Sequence, residues 1–345
     1  MLRSGRFWIG VAITILFLFL FVYQIRGDFA EMGQALAAAN YVFLLPALLI
    51  YMVGVYFRAV RWRYLLKPIK TLSSIRLFPL ILIGMLVNNI LPARLGIVAR
   101  AYILGEREGI SKMATGGTMV LEQAFDGITL VIFAAVISFF APLEGVLQQV
   151  IYITASIFLG AIAVCFVLAL SPRLARTAIG LVLRLLPHGW RPKGEIWLVR
   201  LVEGLGIMRS PGKLALVFVL SVLVWACEAG MFYMVAFSFD LRLPFYAFML
   251  ATSVANLAWA LVMSQGGLGS FDLAAQKTIE LFNVGPALAA SYVVVLHAFI
   301  LLATIPVGFV FLWLENVSLT KIVLGHDRSQ QVREGEPPEE GKEKR

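Results

Sequence analysis

Uncharged or nearly uncharged runs recur along the chain at Phe7 to Ile25, Tyr41 to Phe57, Leu77 to Leu91, Met113 to Ala141, Val150 to Leu170, Leu214 to Phe239, Phe245 to Met263 and Ala287 to Leu314. A crossing helix needs roughly 20 apolar residues. Leu77 to Leu91 supplies only 15. Pro92 then removes a backbone donor and Gly96 tolerates unusual backbone angles, so the chain is expected to break at membrane depth, with protein or water satisfying the freed polar groups. Arg58 to Arg76 holds six basic and no acidic residues, and Ser171 to Lys213 eight basic and two acidic. The positive-inside rule assigns both to the cytoplasm. Leu77 to Leu104 must then cross an even number of times, which its length allows only as a re-entrant hairpin. The second half repeats the device upside down: Phe245 to Met263 dips in, Gln265 to Gly269 breaks, and Ser270 to Phe282 returns.

This pattern predicts an all-α polytopic membrane protein with about six spanning helices and two re-entrant helical hairpins, near 77–104 and 245–283. One helix, one hairpin and one helix in each half make an inverted repeat, the plan of transporters that bind substrate near the bilayer midplane. Residues 1–314 are read as one transmembrane domain with a basic cytoplasmic loop at 171–213. The tail 315–345 is polar, poor in large apolar residues and expected to be disordered.

Composition sharpens the class. Sixty per cent of residues are hydrophobic and 14% charged, and the net charge of +9 is concentrated in the two basic loops. That distribution fits contact with anionic lipid heads and excludes a nucleic-acid partner. Cys165 and Cys227 fall inside apolar runs, so no disulfide framework, cofactor or metal site is indicated. Arg3 and Arg6 precede Phe7 to Ile25, but that run is too long for a signal peptide and lacks a small-residue cleavage site. It is read as a retained first helix whose N-terminus is cytoplasmic, in a plasma-membrane protein. Arg173 to Leu186 reads either as an interfacial amphipathic helix or as extensions of the flanking helices.

The candidate chemistry gathers at the two breaks. Asn88, Asn89, Pro92, Arg94, Gly96 and Arg100 surround the first. On one regular helix Arg94 and Arg100 would point about 240° apart, so only a non-helical turn at Leu95-Gly96 lets both face one pocket. Glu122 and Asp126, four apart, share a helix face near mid-membrane, where a carboxylate needs a partner or a wet cavity. Two readings stand: an interhelical ion pair with Arg94 and Arg100 that only holds the hairpin, or carboxylates orienting arginines whose remaining donors take a lipid phosphate. Gly266, Gly267 and Gly269 precede a helix start with Ser270 as its candidate cap, where backbone amides can hold an anion, although Asp272 in the first turn would repel one. Glu228 and His297 lie midway along their helices, as members of a proton path or as satisfied buried polar groups.

Leu91-Pro92-Ala93-Arg94-Leu95-Gly96 with Arg100 beyond it, Leu121-Glu122-Gln123-Ala124-Phe125-Asp126, and Gly266-Gly267-Leu268-Gly269 with Asp272 follow in an order that spans nearly the whole chain. They resemble the motifs of the lysylphosphatidylglycerol synthase transmembrane region, a flippase-like family. The chain departs from the family pattern at Ile97, where Glu is usual, at Gln123, where Arg is usual, and at Gln265, where Pro is usual. The resemblance implies a protein that binds and moves across the bilayer an amphiphile with an anionic head, either a phospholipid or a polyprenyl-phosphate-linked carrier. Its head-group residues would be Asn88, Asn89, Pro92, Arg94, Gly96, Arg100, Gly266, Gly267 and Gly269, with Glu122, Asp126 and Asp272 as charge partners. Aminoacylating relatives carry a large soluble catalytic domain after such a region, and the sequence to 345 holds none, so the expectation is a non-enzyme. Its partners would be anionic lipid and either a second copy or a separately encoded lipid-modifying enzyme. The alternatives are a component of lipid-modifying or glycosyl-transfer machinery and an ion-coupled transporter of a soluble solute.

Overall fold

One helix of 17 residues stops just short of a proline. In the computed structural model, which describes residues 5–91, 95–137, 145–184, 191–203, 205–262 and 264–315, the helix Ser74–Ile90 stops at Leu91. Leu91 is extended (φ −108°, ψ 141°), the conformation that a following proline imposes. The chain resumes as Gly96–Glu108, which Gly109 closes in the left-handed region at φ 65°.

In chain order the helices are α1 (Gly5–Ile25), α2 (Phe29–Ala38), α3 (Leu44–Leu66), α4 (Ser74–Ile90), α5 (Gly96–Glu108), α6 (Lys112–Ile137), α7 (Gly145–Leu170), α8 (Pro172–Arg184), α9 (Arg191–Glu203), α10 (Pro211–Phe237), α11 (Phe245–Val262), α12 (Ser270–Glu280) and α13 (Pro286–Leu314). Among the described residues five helices are long and apolar enough to cross a membrane, and two bent pairs raise the number to seven. The all-α polytopic architecture is therefore as the hydrophobic runs predict.

α4 and α5 form one hairpin, α11 and α12 another, and they open at opposite ends. At the first mouth, Lys70 donates to the Glu108 carbonyl and pairs with its carboxylate, each at 2.8 Å. Arg107 pairs with Glu315 at 2.5 Å, which puts the end of α13 there too. At the second mouth the rings of Tyr246 and Phe282 lie 6.0 Å apart, and Tyr233 of α10 meets Phe245. The Asn40 amide donates to the Ser238 carbonyl at 2.8 Å, which sets the start of α3 beside the end of α10. The tips meet inside the molecule, where the Gln265 side chain donates to the Ile90 carbonyl and Gly266 abuts the backbone of Asn89.

The packing repeats between halves. α3 lies on α4 and α6 as α10 lies on α11 and α13; α5 lies on α6 as α12 lies on α13; and α4 against α13 has its counterpart in α11 against α6. α1 covers the second break, where the Thr14 hydroxyl accepts the Gln265 amide at 2.8 Å. α8 leaves α7 at 115° with Leu174, Leu181 and Val182 exposed, as an interfacial amphipathic helix requires.

Three expectations change. Arg58 and Arg61, counted above as loop charges, belong to α3, and Arg61 is completely buried. Trp62, Leu65 and Leu66 continue the apolar helix past the two arginines, which pair inside the protein rather than face lipid heads. Gly96 does not mark unusual backbone: it begins α5 in ordinary helical conformation, and a Cβ there would sit 2.1 Å from the Gly84 carbonyl oxygen. Its small size lets the hairpin legs touch. The 171–213 segment is not simply a loop, since it holds α8 and α9. Pro92, Arg94 and the tail 316–345 lie outside the described residues.

Single cysteines at Lys70 and Glu106, in a chain lacking Cys165 and Cys227, are expected to react with an impermeant thiol reagent from one side of the membrane, and one at Asp240 from the other. Reaction of Lys70 and Glu106 from opposite sides would show that the first hairpin crosses. A Gly96→Ala change, by overpacking the hairpin, should cost about 1–3 kcal/mol in detergent melting. Gly116→Ala, where a Cβ meets nothing within 4 Å, should cost little.

Candidate functional site

The hairpin tips and the helices around them enclose a cavity of about 150 Å³. Its ionic lining comes from four helices, Arg58 on α3, Arg100 on α5, Glu122 and Asp126 on α6 and Glu228 on α10, and α13 adds the imidazole of His297. Polar lining comes from Asn88 and Asn89 at the first tip, Asn256 on α11 and Thr304 on α13.

An ionic chain runs along one wall. Arg61 is fully buried and grips Asp126 with both terminal nitrogens, Nη1 to Oδ1 at 2.5 Å and Nη2 to Oδ2 at 3.1 Å. Its Nη1 also donates to Ser221 Oγ at 2.9 Å, and its Nη2 to Glu122 Oε1 at 3.2 Å. Arg100 holds the same Glu122 through Nη2 to Oε2 at 2.8 Å and Nη1 to Oε1 at 3.3 Å. The arrangement uses the planar guanidinium fork, which lysine lacks. Trp225 Nε1 donates to Asp126 Oδ1 at 2.8 Å, and its ring lies 4.9 Å from the Arg58 guanidinium, which in turn donates to Glu228 Oε2 at 3.0 Å. Arg100 stacks 4.1 Å from the Trp62 ring, a cation–π contact strengthened by desolvation. Three guanidinium groups thus meet three carboxylates, the balance that makes such burial tolerable.

The stem of Arg100 crosses Gly84, where a Cβ would lie 2.5 Å from Cδ. The first tip is braced by Asn88, whose Oδ1 accepts the Gly96 amide at 2.8 Å, and by Asn89, whose Nδ2 donates to Thr304 Oγ1 at 2.8 Å.

At the second break Gly266, Gly267 and Gly269 all take positive φ (59°, 85° and 79°), a conformation open to glycine at little cost. Gly266 lines the cavity; Gly267 packs on Trp259 and Phe271, and Gly269 lies against α1. The helix start is closed by Asp272, whose Oδ2 accepts the Gly269 amide at 2.8 Å, and not by Ser270. That amide is therefore taken, and an anion at the N-terminus of α12 would face a buried carboxylate.

Of the residues singled out in the sequence, Asn88, Asn89, Gly96, Arg100, Glu122, Asp126, Glu228, Gly266 and His297 line the one cavity. Asp272 lies behind His297 and is buried. Of the pairing with Glu122 and Asp126 expected of Arg94 and Arg100, Arg100 holds Glu122 and is joined there by Arg61, while Arg94 lies outside the described residues. Sequence reasoning missed Arg58 and Arg61 because the apolar run was ended at Phe57; their three-residue spacing beside Trp62 is the signal that places both on one helix face.

The profile described as Lysylphosphatidylglycerol synthase TM region matches residues 7–308, both hairpins and the whole cavity included. The chain belongs to that family. A UPF0104 membrane protein of Methanothermobacter thermautotrophicus is 26% identical over 289 residues, 77% of this chain and 83% of the relative. Another UPF0104 membrane protein, from Methanocaldococcus jannaschii, is 24% identical over 202 residues, 58% of this chain and 81% of the relative. Glycosyltransferase AglD of Haloferax volcanii is 26% identical over 366 aligned positions, 95% of this chain but 57% of that protein. No solved structure gives a significant match. The family fixes a multi-pass membrane domain, and the charged cavity is what this chain builds within it.

Arg61→Ala would strand Asp126 in the interior, a loss of about 3–5 kcal/mol for one partner of a buried pair. Adding Asp126→Asn should recover part of it. Detergent melting of the single and double variants checks this: a double variant no more stable than Arg61→Ala would mean that the pair does not set the stability of the wall.

Proposed function

We propose that the protein binds the anionic head of an amphiphile in this cavity and carries it across the bilayer. The observation that carries the reading is that two broken hairpins, entering from opposite ends, share one charged cavity at their tips. In that geometry a small movement of either hairpin changes the end from which the cavity is reached, the requirement for alternating access. Arg58 and Arg100 support an anionic ligand, because both guanidinium groups line the cavity.

A second observation favours an amphiphile over a soluble solute. Between α6, α7 and α10 lies an apolar groove of about 530 Å³, walled by Phe125, Ile162, Phe166, Met208, Leu214 and Phe218. Phe125 adjoins Asp126, so α6 presents an apolar groove on one face and charged cavity lining on another. This arrangement suits one molecule with a chain and a head. The carboxylates in the wall, Glu122, Asp126 and Glu228, are each engaged by an arginine, which favours binding over catalysis. The likeness to AglD supports a second reading, a membrane component serving glycosyl transfer on a lipid carrier. The basic mouth near Lys70 is taken as cytoplasmic.

The test uses proteoliposomes of phosphatidylcholine with a trace of fluorescently labelled phosphatidylglycerol and an impermeant quencher. The protein should increase the fraction quenched from outside beyond the outer leaflet. Arg100→Lys, which keeps charge but loses the fork, should slow this by roughly tenfold or more, the equivalent of about 1.5–3 kcal/mol for a charge-assisted bond. Melting in detergent should rise more with added phosphatidylglycerol than with phosphatidylcholine, and the excess should shrink in Arg100→Lys. Equal stabilisation by both lipids in both proteins, with no added quenching, would reject the reading.

A further inference from the structure

His297 sets each ring nitrogen against an oxygen. Nδ1 lies 2.6 Å from Asp272 Oδ1, and Nε2 lies 3.0 Å from the Gly266 carbonyl oxygen. A carbonyl oxygen has no proton to give, so Nε2 must donate. The Nδ1 contact needs a second proton, which either the ring or the carboxyl carries. With both protons the pair is neutral. With one it carries a negative charge, and one of the two contacts becomes lone pair against lone pair. Both residues are buried, so water does not readily replace a lost bond.

The two contacts join separate elements. Asp272 also caps α12 through the Gly269 amide, and Gly266 abuts Asn89 of the first hairpin. The pair therefore clips the tip of the second hairpin to α13. The charged and titratable groups sharing the cavity with His297 are Tyr51 and Arg58 from α3, Arg100 from α5, Glu122 and Asp126 from α6 and Glu228 from α10. α12 adds Asp272, while α4 presents Asn88 and Asn89, α13 Thr304 and α1 Thr14. The charges among them already meet in ion pairs. A negative charge on the clip is thus uncompensated among the described residues.

We propose that Asp272 and His297 form a proton-binding site that holds the second hairpin to α13 when doubly protonated and releases it when one proton leaves, so that transport is coupled to protons. The coupling rests on reading the cavity as a transport path; the clip itself does not. Asp272→Asn is the informative change, because an asparagine oxygen can still cap Gly269 and its amide can donate to Nδ1 while Nε2–H keeps Gly266. That variant holds the clip without the exchangeable proton.

The experiment has two arms. In the first, Ala260→Cys, which lines the cavity, reports its opening in a chain with Cys165→Ala and Cys227→Ala. Its labelling rate, divided by that of free cysteine at the same pH, should rise about tenfold between about pH 6 and about pH 9, as expected for losing a hydrogen bond to a charged group. Asp272→Asn should stay at the slow rate at both values, and His297→Gln should lose the pH dependence. A flat profile in the parent, or an unchanged profile in Asp272→Asn, overturns the proton site. In the second arm, movement of labelled phosphatidylglycerol in proteoliposomes should respond severalfold to an imposed pH gradient in the parent and not in Asp272→Asn. Labelling that behaves as expected without lipid movement upholds the clip and rejects the lipid reading; lipid movement indifferent to the gradient rejects the coupling alone.

Discussion

Burying an arginine without a partner is among the costliest things a membrane protein can do, and the fold is arranged around avoiding it. Arg61 has no exposed surface. It is tolerated because Asp126 and Glu122, one helical turn apart on α6, are both within reach of its fork, and because Arg100 neutralises the second carboxylate. This chain of charges joins α3, α5 and α6. It requires the first hairpin to lie close to α6, and so requires Gly84 and Gly96, without which the Arg100 stem and the two hairpin legs do not fit.

The two breaks solve the same problem differently. The first ends its helix before a proline and braces its tip with Asn88, whose side chain accepts the Gly96 backbone amide, and with Asn89, whose side chain ties the tip to Thr304 of α13. The second uses three glycines at positive φ and recruits Asp272, His297 and Thr14 from itself and its neighbours. The breaks therefore differ in how they are held: both reach α13, the first through the uncharged Asn89–Thr304 bond and the second through the titratable Asp272–His297 pair. This asymmetry makes the second hairpin the better candidate for the moving part.

Much of this was legible in the sequence. Breaks near Pro92 and at the Gly266 to Gly269 cluster follow from local backbone chemistry, and α4 ends and α12 begins beside them. The partner of Asp126 was not legible. A run of apolar residues seems to end where an arginine stands, whereas α3 passes through Arg58 and Arg61 because carboxylates far along the chain wait for them. Gly96 is a similar case: its role is set by a carbonyl on another leg of the hairpin, which no local pattern encodes. Glu228 and His297 were legible only as polar residues in apolar helices, and their meaning depends on the charge balance of the assembled cavity.

The central claim is that the cavity between the hairpin tips is reached from either side of the membrane. Met85 lines it from α4 without belonging to the charged wall. A lone cysteine at this position, probed with an impermeant thiol reagent in vesicles of each orientation, should react from both sides, with slower reaction from each when phosphatidylglycerol is added. Reaction from one side only, whatever the pH and lipid, would contradict the account.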